Sequence, residues 1–152
     1  MSYFLNSVPL INQYTKTTKE KYFVDKSKFI EKMNELVGTA SQYVCITRPR
    51  RFGKTLNAMM LASYYSKNAN FKDLFDKLKI SKSETYLEHL NKHNVVYITF
   101  NELLNSNCSY NEFIGRYIDF LKSDLRGMYS EIEIDQGMLM SDVFNQVYNQ
   151  TG

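Results

Sequence analysis

Tryptophan is absent from this sequence, and cysteine and proline occur only twice each. Cys45 and Cys108 lie far apart and neither belongs to a CxxC pair, which excludes a disulfide framework and a cysteine-based metal knuckle. Long hydrophobic runs are missing too: no stretch approaches the roughly 20 apolar residues that cross a bilayer. Met1-Ser2-Tyr3-Phe4-Leu5-Asn6 lacks a basic region followed by an apolar core, so no signal peptide is read there. These absences together give the expectation of a reduced, soluble, cytoplasmic chain with no membrane partner. Net charge is also scarce, and +3 is too small to mark a nucleic-acid binder by itself. The two histidines, His89 and His93, stand four apart, but Glu88 and Glu102 do not complete an HExxH pattern. A plain solvated helix end is the better reading of that pair.

What is present is an ordinary globular composition, with 43% hydrophobic and 23% charged residues. A chain of 152 residues is one domain by length, or part of a larger one. At that size about 70% of the unfolded surface can be buried. The positive charge is concentrated: Arg48, Arg50, Arg51 and Lys54 crowd one short stretch.

Residues 1–21 are polar, rich in Thr and Lys, and interrupted by Pro9, and read as an irregular lead-in. Tyr22-Phe23-Val24 is a short extended candidate. Between Lys26 and Val37, Phe29, Ile30, Met33, Leu36 and Val37 recur at helical spacing, and Gly38 suits the position past the helix end. Tyr43-Val44-Cys45-Ile46 is an apolar run that predicts a strand, with Cys45 as a small buried hydrophobe. A helix should follow from Lys54, with Leu56, Met59, Met60 and Tyr64 as its buried stripe. Asn70 can cap a helix lined by Phe71, Leu74, Phe75 and Leu78, and Ser83 to Asn91 is a weaker helix. Val95 to Phe100 is the clearest strand pattern, β-branched and aromatic throughout. Ser109-Tyr110-Asn111-Glu112 is a capping box. It opens a helix with Phe113, Ile114, Tyr117, Ile118, Leu121 and Leu125 on one face. A last helix over about 141–150 should turn Val143, Phe144, Val147 and Tyr148 inward.

Two apolar strands separated by helices predict an α/β domain, a parallel sheet with helical crossovers. Two are too few for such a sheet, which has about five or six strands. The chain also ends in or just after a helix, so the domain is expected to be incomplete at its C-terminus.

Tyr43 to Thr55 carries the chemistry. An apolar run enters a cationic turn that closes on Gly53-Lys54-Thr55, and a helix pattern follows at once. That order suits a phosphate-binding loop. Gly53 lets backbone approach phosphate oxygens without a Cβ, and Lys54 places an ammonium among them. Thr55 offers a hydroxyl to Mg²⁺, and the free N–H groups of the helix start favour an anion. The pattern GxxxxGK[ST] would place glycine at 48, where this chain has Arg48. The opposing reading is a basic surface turn with Gly53 as its hinge.

Arg-Pro-Arg-Arg-Phe-Gly-Lys-Thr (48–55), following Tyr-Val-Cys-Ile-Thr, resembles the signature of the bacterial predicted AAA-ATPase-like family. Tyr22 to Ser27, Leu74-Phe75 with Leu78 to Ile80, and the run ending at Phe100 follow that family's order, so the resemblance covers about 9–152. It accounts for Arg48, since the family ordinarily replaces the first glycine. It implies ATP and Mg²⁺ as ligands and a P-loop NTPase-type fold, of which 22–152 would be the N-terminal portion. It implies phosphate contacts from Arg50, Arg51, Phe52, Gly53, Lys54 and Thr55, with Thr55 on the metal. It also places Asp25 and Lys26 near the adenine and ribose, against a plainer reading as a helix cap and a solvated lysine. The family's acidic Walker B strand has no good counterpart here: Glu102 and the Glu133/Asp135 pair are poor substitutes, and a catalytic residue is not assigned. Slow hydrolysis by this chain alone is expected. The competing functions are a non-catalytic, partner-binding remnant and, third, a nucleic-acid backbone binder using Arg48, Arg50, Arg51 and Lys54. An unpaired sheet edge would further favour self-association, or pairing with a missing C-terminal half.

Overall fold

The computed structural model describes residues 4–67, 70–99 and 108–151. It divides into two compact units, one of residues 6–95 and one of residues 1–5 with 96–152.

In the first unit, α1 (Val8–Thr17), α2 (Lys28–Asn34), α3 (Lys54–Tyr65), α4 (Lys72–Phe75) and α5 (Tyr86–His89) are joined by a 3₁₀ turn at Lys79–Lys82. Tyr14, Ile30, Met59, Met60, Tyr64, Phe75, Ile80, Tyr86 and Leu90 form its core. Tyr14 of α1 stacks on Phe75 with ring centroids 6.1 Å apart, within the range of favourable aromatic pairs. Within the lead-in expected to be irregular, Val8–Thr17 is therefore a helix. Pro9 lies in its first turn, where a missing N–H costs nothing.

Buried Asn34 is the polar hub of this unit. Its Nδ2 donates to the Tyr64 hydroxyl at 3.1 Å and to Thr85, and its Oδ1 accepts from the Tyr65 hydroxyl at 2.7 Å. The C-terminal carbonyls of α3 are also satisfied. Asn91, at φ 56°, donates its N–H to Tyr64 O, and His93 donates its own to Tyr65 O, both at 2.8 Å. Asn91 Nδ2 donates to Ser66 O at 2.9 Å. These bonds hold the far end of α3 and so fix the direction in which its N-terminus points.

In the second unit, α6 (Tyr110–Met128) and α7 (Met140–Thr151) pack over Leu5, Leu121, Leu125, Ile132, Ile134, Val143 and Val147. The capping box forms as read: Ser109 accepts from Glu112 N, and the Glu112 carboxylate accepts from Ser109 N at 2.8 Å. Phe113, Tyr117, Leu121 and Leu125 of the expected stripe are buried. On α7, Val143 and Val147 are buried, but Phe144 and Tyr148 face solvent, Tyr148 at 71% exposure. Buried Asp124 accepts from Phe4 N at 2.7 Å and Leu5 N at 3.2 Å.

The expected parallel sheet is not there. Among the described residues no strand forms, and the bridges found are isolated, Leu5 with Val96 antiparallel and Ser66 with His93 parallel. Tyr43 to Ile46 is irregular and open to solvent, Tyr43 at 89% exposure, and Cys45 is exposed where burial was expected. Tyr22 to Val24 is turn and irregular chain. The run from Val95 reaches one bridge at Val96 and a bond from Tyr97 N to Phe4 O, 3.0 Å; Phe100 lies outside the described residues. The reason is general: a helix closes its hydrogen bonds within its own residues, whereas a strand needs a partner edge. An α/β, P-loop NTPase-type sheet, complete or truncated, is therefore not the fold seen here, and the argument for self-association through its edge goes with it.

Candidate functional site

The cationic turn lies in the first unit and leads directly into α3. Gly53 is the N-cap of this 12-residue helix, at φ 80° and ψ 22°, a left-handed conformation natural to glycine. Arg51 is also left-handed, at φ 68°. For a residue with a Cβ that is unfavourable by roughly 1–2 kcal/mol, so the surrounding turn must hold it. The turn between 50 and 53 is thus a tight bend and not an extended lead into the helix.

Two lysines reach the carbonyls of this bend. Lys54, the first residue of α3, turns back along the loop, and its Nζ donates to Arg48 O at 2.7 Å and Pro49 O at 3.1 Å. Lys26, from the chain just before α2, donates from its Nζ to Phe52 O at 3.4 Å, the long end of the hydrogen-bond range. A Cβ on Gly53 would lie 3.3 Å from that same Nζ. The two ammonium groups therefore meet carbonyls of the loop that precedes Gly53 in sequence.

Arg48, Arg50, Arg51 and Thr55 are exposed around this bend, and Phe52 is 59% exposed. The first turn of α3 carries no acidic residue. Its leading N–H groups have no intrahelical acceptor, so the helix end adds partial positive charge to that of the side chains.

Asp25 is committed elsewhere. Its Oδ1 accepts from Ser27 N and its Oδ2 from Lys79 N, each at 2.8 Å. Partial burial pushes the carboxyl up, but the bonds from Ser27 and Lys79 outweigh it and hold Asp25 below the usual carboxylate value. Asp25 thereby locks the corner from which Lys26 projects. Of the sequence-assigned residues, the structure brings together Lys26, Phe52, Gly53 and Lys54, and turns Asp25 toward the 3₁₀ turn. The sequence reading missed the carbonyls of Arg48, Pro49 and Phe52 as partners, because backbone acceptors leave no residue-type signature.

No group of three His, Cys, Asp or Glu side chains able to hold a metal ion occurs among the described residues. His89 Nδ1 and His93 Nε2 face each other at 3.0 Å. Burial, then the neighbouring His89 and Lys92 charges, hold His93 below its ordinary value. Ile132 and Ile134 are buried while Glu133 and Asp135 are exposed, and Glu102 lies outside the described residues. No helix is long and apolar enough to cross a membrane among the residues described.

A family model described as "Predicted AAA-ATPase" matches residues 10–152. No curated protein and no solved structure matches the chain.

Proposed function

We propose, since the chain belongs to the predicted AAA-ATPase family, that residues 50–55 and the first turn of α3 bind the phosphates of ATP together with Mg²⁺. The observation that carries this reading is the self-closed bend: Lys54 folded onto Arg48 O and Pro49 O, with left-handed Gly53 as the N-cap of α3. Backbone carbonyls and phosphate oxygens are both acceptors, so an ammonium fixed near Arg48 O is positioned to take a phosphate oxygen instead. Gly53 presents backbone without a side chain, and the helix start presents N–H groups free to bind an anion. Arg50 and Arg51 supply charge at the rim. Thr55, exposed in the first turn, is the residue to hold Mg²⁺, which when bound neutralises phosphate charge.

The residues fit the binding of ATP better than its hydrolysis. Asp25 is already held by two backbone amides, and the first turn of α3 contributes no carboxylate to orient a water. Hydrolysis by this chain is accordingly expected to be slow.

Calorimetric titration with ATP and Mg²⁺ tests the reading, with single-stranded DNA as competitor. Saturable binding that a molar excess of DNA leaves intact supports it. Binding of DNA alone, lost steeply with added salt, would replace it with contact to nucleic-acid backbone.

A further inference from the structure

We infer that Lys26 is a positioning residue of the phosphate loop and the second ammonium, beside Lys54, that a bound polyphosphate draws on. This rests on the reading of 50–55 as a phosphate site.

The corner at 25–27 is tied by hydrogen bonds to the 3₁₀ turn. Asp25 accepts from Ser27 N and Lys79 N. Ser27 is fully buried, and its Oγ accepts from Ile80 N at 3.0 Å. Ile80 in turn belongs to the core. The base of the Lys26 side chain is therefore fixed by hydrogen bonds to a segment more than fifty residues away in sequence.

From that base the ammonium reaches Phe52 O at 3.4 Å and lies 3.3 Å from where a Gly53 Cβ would stand. The missing side chain at Gly53 leaves that approach open, while its positive φ is what calls for glycine. The bond to Phe52 O is long and exposed, which makes it weak and readily exchanged. Lys26, Lys54, Arg50 and Arg51 collect around one bend that has no acid in the adjoining helix turn. Like charges gathered this way repel, and a polyanion relieves the repulsion. In this arrangement Lys26 holds Phe52 O when the loop is free and takes a phosphate oxygen when the loop is occupied, which places its role at the phosphates and not at the base.

The test uses the whole chain and inorganic tripolyphosphate, so that no base contact contributes, with calorimetry on the unchanged protein and on Lys26→Met, Lys26→Arg and Lys54→Ala. Lys26→Met is expected to weaken tripolyphosphate binding about tenfold and flatten its salt dependence. Lys26→Arg should restore affinity to within about threefold, since charge and donor are kept. The thermal midpoint without ligand should be shared by all, as for an exposed side chain. Unchanged affinity in Lys26→Met while Lys54→Ala loses binding would overturn this inference and leave the phosphate site standing. Loss of binding in both Lys26 variants with lowered midpoints would reduce Lys26 to a structural role and also overturn it. No binding by the unchanged protein would remove the site and the inference together.

Discussion

The Lys54 ammonium donates to the carbonyl oxygen of Arg48 at 2.7 Å, so the first residue of α3 closes the loop that precedes it. This bond ties the charge at the helix start to a bend whose backbone is otherwise strained at Arg51. Replacement of those carbonyls by phosphate oxygens would keep the ammonium fully bonded.

Gly53→Ala probes the bend. At φ 80° alanine is strained, and its Cβ would crowd Lys26 Nζ at 3.3 Å. A loss of about 1–2 kcal/mol is expected in urea denaturation. Gly115, inside α6 with open space around it, is the contrasting position. There alanine should stabilise by roughly 0.5–1 kcal/mol. If both substitutions moved stability the same way, the left-handed conformation assigned to Gly53 would be wrong.

Asn34→Ala probes the hub under α3. The change leaves the Tyr64 and Tyr65 hydroxyls and the Thr85 carbonyl without the partners Asn34 supplied. A destabilisation of about 2–3 kcal/mol is expected, measurable as a shift of the urea midpoint at unchanged slope. A change under 0.5 kcal/mol, roughly the scale of a surface substitution, would contradict the network.

His93 makes stability depend on pH in a defined direction. Its folded-state value lies below the ordinary 6.5 because burial, and then the His89 and Lys92 charges, disfavour the protonated ring. Below that pH the unfolded chain binds more protons than the folded one, so stability falls as pH drops through 6.5 and onward. Groups facing the ring are His89 at 3.0 Å and the Tyr65 ring, with Lys92 contributing charge. Asp25, Asp76 and Glu112 have values lowered from the carboxylate range. Their stabilisation is present above the ordinary carboxylate values and is lost as pH falls through the lowered ones, well below the histidine window. Urea midpoints between pH 7.5 and 5.5 should therefore decline in the unchanged protein and decline less in His93→Gln. Equal slopes would show that the ring titrates normally.

How much of this was legible depended on the range of the interactions. The Ser109–Glu112 capping box, the Met59/Met60/Tyr64 stripe and the Val143/Val147 face followed from spacing alone, because helix periodicity and caps are local. Phe144 and Tyr148 show the limit of that reasoning: a wide apolar face was drawn where a narrower one is buried. The strand patterns at 43–46 and 95–100 were legible as propensity, but pairing depends on an edge supplied from elsewhere. Pro9 looks like an interruption in the sequence, yet its place in the first turn of α1 suits it. At the candidate site, Gly53-Lys54-Thr55 could be read from the chain. The approach of Lys26 to Phe52 could not, since it depends on Asp25 and Ser27 being anchored to Lys79 and Ile80.

The central claim is tested most directly by titrating ATP with Mg²⁺ into the unchanged chain and into Lys54→Ala. The expected result is one site per chain whose affinity falls about a hundredfold in the variant, the scale of losing charge-assisted bonds to phosphate. The thermal midpoint should barely move, because the side chain is exposed. Equal dissociation constants for the two proteins would contradict the account.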